Sequence, residues 1–224
     1  LRLDERRVDT PIEPHPTRRS QSTNTRRYDR LARFYSTLEP LYLIFPPARR
    51  RAVAALGLKD GDTVLEVGAG TGRNLPYLVE AVGPSGTVIG VDASQGMLAE
   101  ARKLIERRGW SNVELLQQDA ARLEVDRDLD GVLFSLSYSV IPEPRPALKR
   151  AWERLRPSSR VVVMDMGLTE GGAHRLLEPI GRLLVKLAPG DAYSDPWSDL
   201  GAYAPVETKR FLLGLFYVSA ITKT

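Results

Sequence analysis

The 224-residue chain has no cysteine and only two histidines, His15 and His174. The first absence excludes disulfides, thiolate metal sites and a cysteine nucleophile. The second leaves little from which to build a histidine centre. No grouping of His, Asp and Glu has metal-ligand spacing, so no metal is expected. His15, between two prolines, reads as a solvated side chain, and His174 as a surface or cap residue. No apolar run approaches the roughly 20 residues of a membrane span. The arginine-rich N-terminus is unlike a signal peptide, and a cytoplasmic protein is the expectation. Net charge is only +4, but residues 18–51 hold nine arginines against Asp29 and Glu39. A basic segment on a near-neutral body points to an anionic partner. It has no aromatic residue before Tyr28 on which bases could stack, so nucleic acid is not the expected one.

What is present is organised around Val64-Leu65-Glu66-Val67-Gly68-Ala69-Gly70-Thr71-Gly72. An apolar strand passes an acid and enters a turn with three glycines at two-residue spacing, followed by a helix-like segment. Such a turn brings bare backbone close to a ligand, and the next helix offers unpaired N–H groups. The spacing is not the dinucleotide G-x-G-x-x-G. Glu66 would repel a pyrophosphate but suits a cationic ligand. From Asp62 onward strands and helices alternate, which predicts an α/β fold with a parallel sheet. Strands are expected at 62–67, 86–92, 112–117, 129–136 and 160–165. Helices are expected at 72–82, from Ser94 to about Arg108, and at 144–155. The last two alternating runs, Val206–Leu212 and Leu215–Ile221, read as a hairpin.

Two more acids follow strands. Asp92 ends the second, where a carboxylate can accept ribose hydroxyls. Asp119 follows the third. Together Glu66 to Gly72, Asp92 and Asp119 resemble the successive motifs of the class I S-adenosylmethionine-dependent methyltransferases, from about Tyr28 to the C-terminus. The resemblance implies a Rossmann-like seven-stranded, mostly parallel sheet with an antiparallel last strand, helices on both faces and an N-terminal helical lid. It implies S-adenosyl-L-methionine as cofactor and S-adenosyl-L-homocysteine as product. Gly68, Ala69, Gly70 and Gly72 would approach the methionine part, and Glu66 would organise that loop and the amino group. Asp92 would hold the ribose. Ala93 and Met97 would lie near the adenine face, Met97 being equally suited to the core. Asp119 would accept the adenine amino group, beside Ala120, or cap a helix. At the end of the fourth strand, Ser135 would border the cofactor. Tyr138 would either touch substrate or fill the core, and Asp165 would face the pocket or cap a turn. The lack of cysteine excludes the methylation chemistry that attacks a pyrimidine through a thiol. Ser-Leu-Ser-Tyr at 135–138, in place of an Asn/Asp-Pro-Pro-aromatic sequence, argues against base methylation. Pro157-Ser158-Ser159 stands where the family usually has Pro-Gly-Gly.

The division expected is an arm at 1–24, disordered or loosely docked, lid helices at 25–58, and the methyltransferase domain at 59–224. Within the lid, Tyr28, Leu31, Tyr35 and Leu38 fall at helical steps. Leu41–Pro47, beside Arg49-Arg50-Arg51, reads either as a lid packed on the core or as an interfacial anchor on anionic headgroups. Residues 173–188 form an amphipathic stripe that suits core packing. Tyr28-Asp29-Arg30-Leu31-Ala32-Arg33-Phe34-Tyr35 and Gly70–Pro76 resemble small bacterial phospholipid N-methyltransferases. Asp195–Leu200 and Phe216–Ala220 are similar to betaine-lipid enzymes. The implied activity is N-methylation of a phospholipid amine, with Tyr28 and Tyr35 as catalytic residues aligning it and peripheral contact with an anionic membrane. The alternatives are a quinone or other small-molecule methyltransferase, and a non-catalytic cofactor-binding protein at the membrane. A monomer and a homodimer are equally compatible with the sequence.

Overall fold

The structure, a computed structural model, describes residues 25, 29, 45–166, 196–211 and 216–224. The arm at 1–24, Tyr28, Tyr35 and most of the expected lid, residues 41–44, the stripe at 173–188 with His174, and the hairpin turn lie outside the described residues.

Seven strands form one sheet in the order β3-β2-β1-β4-β5-β7-β6. They are β1 (Thr63–Val67), β2 (Thr87–Asp92), β3 (Val113–Gln117), β4 (Leu129–Ser135), β5 (Leu155–Met166), β6 (Glu207–Phe211) and β7 (Phe216–Thr222). β1 to β5 pair in parallel, and β7 runs antiparallel to both β5 and β6. The helices are α1 (Phe45–Leu56), α2 (Leu75–Val82), α3 (Gln95–Arg108), α4 (Pro144–Arg154) and α5 (Pro196–Gly201). This is the Rossmann-like arrangement the motifs imply, with the last strand inserted antiparallel.

The central strands are apolar on both faces because both faces are covered. On one, Val64, Val88, Leu133 and Val162 meet Ala52 and Leu56 of α1, Leu78 of α2 and Ala101 of α3. On the other, Leu65, Ile89, Phe134 and Val161 meet Leu148 and Ala151 of α4 and Leu200 of α5. Ser94 caps α3 by accepting from Met97 N at 3.1 Å, and Gly109 closes it in the left-handed region.

Two of these boundaries differ from the sequence expectation by more than one residue. α2 begins at Leu75 rather than at Gly72, because residues 71–74 are spent on the turn. β5 begins at Leu155, not Arg160. Leu155 pairs with Leu129, the ladder shifts register, and pairing resumes at Gly131 with Arg160. Pro157 cannot continue a helix. Ser158 makes the detour at φ +67° and donates its N–H to Lys223 O at 2.7 Å. A side chain in that region is strained by about 1–2 kcal/mol, part of which glycine's greater freedom in the unfolded chain offsets. Ser158→Gly is therefore expected to stabilise the fold by about 0.5 kcal/mol, read as a rise in the urea midpoint.

Candidate active site

The loop after β1 is bound to the end of β2. Gly68 and Ala69 donate their N–H groups to Val91 O at 2.7 and 2.9 Å. Gly70 N–H donates to Asp92 Oδ2 at 2.8 Å. The three motif glycines all have positive φ, but two of them have contrasting surroundings. A Cβ on Gly68 would lie 2.4 Å from Ser137 Cβ, so glycine there is a packing requirement. A Cβ on Gly70 would meet nothing within 4 Å. That open side is where a ligand can approach the backbone.

Glu66 lies beneath this loop and is 1% exposed. Its Oε1 accepts from Asn74 Nδ2. Its Oε2 is buried with no partner among the described residues. Burial pushes the carboxyl up to about 7, against the Asn74 hydrogen bond and the nearby Arg49 guanidinium, which favour the anion. Asp92 turns both oxygens to backbone, Oδ1 accepting from Ser94 N–H at 2.8 Å and Oδ2 from Gly70. Each carboxylate oxygen has a second lone pair, so each can still accept a ribose hydroxyl. Burial also holds Asp92 above the ordinary carboxylate value, and the charge of Asp29 adds to this. Asp119 Oδ1 caps the short helical turn at 120–122, accepting from Ala121 N–H at 3.0 Å. The cap leaves Oδ2 as an acceptor. Ala93 is half-exposed, Ala69 and Ala120 are buried, and Met97 is buried in neither apolar cluster. All these residues sit at the C-terminal edge of β1, β2 and β3, where ligands bind in open α/β sheets.

Beyond β4 the residues do more structural work than the sequence suggested. Ser135 is buried at 5% exposure and its hydroxyl lacks a partner among the described residues. It lies on the same face as Glu66 because Leu133 is in register with Glu66. Leu136 adopts φ +56°, a strained value for a branched residue. Ser137 donates its hydroxyl to Val67 O at 2.6 Å, tying this turn to β1. Tyr138 is fully buried, edge-on to Phe134, with its hydroxyl donating to Asp199 at 2.9 Å. Ring and donor both have partners, as the core reading of Tyr138 expects. Asp165 also caps a turn, accepting from Ser139 N–H at 3.0 Å and Met166 N–H at 2.9 Å, and burial raises it to about 6.

The sequence did not single out Arg49, Asn74 or Asp29. Asp29 accepts from Ser94 Oγ at 2.6 Å and Gly96 N–H at 3.0 Å, next to Asp92. Arg49 had a readable signal: of the three arginines it alone falls at three- and four-residue steps with the buried Ala52, Val53 and Leu56. Among the described residues no three His, Cys, Asp or Glu side chains form a metal-binding group. None of the described helices is long and apolar enough to cross a membrane.

The fold is Rossmann-like, and comparison with known proteins extends the resemblance. The family model described as "Methyltransferase domain" matches residues 64–158. The chain is similar to phosphatidylethanolamine N-methyltransferase of Cereibacter sphaeroides, 38% identical over 119 residues, which are 52% of this chain and 56% of that protein. It is similar to demethylmenaquinone methyltransferase of Lactococcus lactis, 32% identical over 118 residues, 52% of this chain and 47% of that one. The chain thus spans about half the length of these curated relatives. A solved SAM-dependent methyltransferase from Aquifex aeolicus shares the fold with a TM-score of 0.62 at 22% identity, over 84% of this chain and 98% of that one. The S-adenosylmethionine-dependent methyltransferase SibL does so with a TM-score of 0.68 at 20% identity, over 88% and 61%. Residues 64–158 are thus matched as a methyltransferase domain.

The described residues fit S-adenosylmethionine on two counts. A buried, unpartnered carboxylate oxygen suits an ammonium group, and the space beside Gly70 admits a ligand against bare backbone. Gly68→Ala should lower the unfolding midpoint more than Gly70→Ala, while both weaken S-adenosylhomocysteine binding in calorimetry. Equal midpoints would contradict the packing role given to Gly68. A second expectation concerns pH. The folded carboxyl of Glu66 is raised from 4.5 to about 7, so its contribution to stability is fully present below 4.5 and is lost as pH rises through 7. Glu66→Gln in the cofactor-free protein should therefore gain stability relative to the parent over that window, by up to about 3 kcal/mol. Urea titrations at several pH values measure it.

Proposed function

We propose that the protein N-methylates the amine headgroup of a membrane phospholipid. The observation that carries this reading is the set of exposed arginines that α1 holds at the same edge as the cofactor loop. Arg51 lies over the Phe211 ring at 5.0 Å. Phe211 pairs with Phe216, and Phe216 with Met166 at the end of β5. Arg50 lies over Tyr77, in the first turn of α2, at 5.4 Å. Exposed guanidinium groups held over rings at the mouth of the site suit a headgroup phosphate and an anionic lipid surface. The relative named for phosphatidylethanolamine supports the reading from sequence.

Bound S-adenosylmethionine supplies a methyl group on a cationic sulfur, which a neutral amine displaces in line. The chain's own task is alignment and exclusion of water more than strong base catalysis. In this reading Glu66 accepts the ligand's ammonium group, Asp92 the ribose hydroxyls and Asp119 the adenine amino group. Gly68 to Gly72 carry the backbone that approaches it, with Ala93, Met97, Ala120 and Ser135 around it. Tyr28 and Tyr35 align the acceptor amine.

A quinone or other small-molecule acceptor is the second reading, favoured by the demethylmenaquinone relative. It would call for a base to ionise the acceptor. Asp165, the carboxyl at the end of β5, is committed to two backbone N–H groups. The test is incubation with S-adenosylmethionine and liposomes of phosphatidylethanolamine and an anionic lipid, read by lipid mass spectrometry. Stepwise gains of one CH2 mass on the headgroup, a methyl replacing a hydrogen each time, are expected. Lipid of unchanged mass, with S-adenosylhomocysteine still bound by the protein, would overturn the phospholipid assignment and favour the second reading.

A further inference from the structure

Asn74 is the N-cap of α2, where an Asn side chain ordinarily accepts an N–H of the following turn. Here its side chain makes no capping bond. It bridges two residues from other elements instead. Arg49 Nη1 of α1 donates to Asn74 Oδ1 at 2.9 Å, and Asn74 Nδ2 donates to Glu66 Oε1. Asn74 is 2% exposed and Glu66 1%, so water cannot readily substitute for either partner.

Chemistry fixes the direction of this relay. A guanidinium has donors only, so the Asn74 oxygen must face Arg49. The amide NH2 must then face Glu66, and a donor aimed at a carboxyl favours its ionised form. Without Arg49 the amide is free to turn over and offer its oxygen to Glu66, which favours the protonated acid. The charged and titratable groups acting on Glu66 are Arg49 from α1 and Asp92 from β2. Arg73 of the loop and Tyr77 of α2 act on Arg49 in turn. Arg49 is the cation among these whose hydrogen bond leads to the carboxyl. It lies on α1, before the matched residues 64–158.

We propose that Arg49 is a positioning residue for cofactor binding: it locks the Asn74 amide toward Glu66, and so holds Glu66 Oε2 as an anionic acceptor for the ligand's ammonium group. The inference rests on the reading that Glu66 receives that group. It gives α1 two opposite uses, Arg50 and Arg51 facing outward and Arg49 turned in beneath the glycine loop.

Calorimetric binding of S-adenosylhomocysteine to the full chain, between about pH 5.5 and 8.5, separates the possibilities. For the parent protein, affinity should rise with pH through about 7 as Glu66 ionises. Arg49→Met should move that rise upward by about one pH unit and weaken binding at pH 7 about fivefold. Arg49→Lys, which also only donates, should recover most of both. If Arg49→Met fails to fold by circular dichroism, Arg49→Gln replaces it. Glutamine can both donate and accept, so it should give a smaller shift in the same direction. An unchanged pH midpoint and affinity in the neutral variant would overturn the relay and leave the cofactor site standing. Failure of the parent protein itself to bind would overturn the reading of the site on which the relay rests.

Discussion

A carboxyl closed off from water, with one oxygen bonded and the other without a partner among the described residues, is the constraint around which this site is built. Leaving a buried polar group unpaired is costly, and leaving a buried charge unpaired is costlier still. Glu66 meets that condition only in part, through Asn74 and, behind it, Arg49. The free protein therefore holds Glu66 near its titration midpoint at neutral pH. A cationic ligand would complete what the protein leaves unfinished, and a phosphate would not.

The sheet order explains why the constraint can be met at this place. Parallel strands wind outward in both directions from β1 and β4, and the crevice at that switch point receives the loops that follow them. Ser137 bonds to Val67 O across the crevice, and Gly68 leaves room for the Ser137 side chain. The Gly70 N–H on Asp92 then ties the glycine loop to the acid at the end of β2. The glycine loop is thus hydrogen-bonded both to the turn after β4 and to the acid at the end of β2.

Much of this was legible in the sequence. Val and Leu runs located β1, β2 and β4 to within a residue or two, because strands covered on both faces leave a continuous apolar signal. Glu66 and Asp92 stood out because a carboxylate after such a run needs a reason. Tyr138 was ambiguous, since an aromatic beside a cleft and one in the core look alike in sequence; its bond to Asp199, 61 residues away, agrees with the core reading. The relay was not read at all. Asn74 was one residue of a stretch expected to be helical, and Arg49 one of three neighbouring arginines. Their partnership crosses 25 residues and depends on how α1 docks on the sheet. The start of β5 was missed for a related reason, because Leu155 joins the ladder only through a register shift opposite Leu129.

If ligand binding ionises Glu66, a proton must leave the protein as the ligand arrives. Calorimetry of S-adenosylhomocysteine binding at about pH 6, in two buffers of different ionisation enthalpy, counts the protons released. The account predicts release of most of one proton, falling toward zero well above pH 7 and absent in Glu66→Gln. Binding enthalpies that do not depend on buffer, or a release that persists in Glu66→Gln, would contradict it.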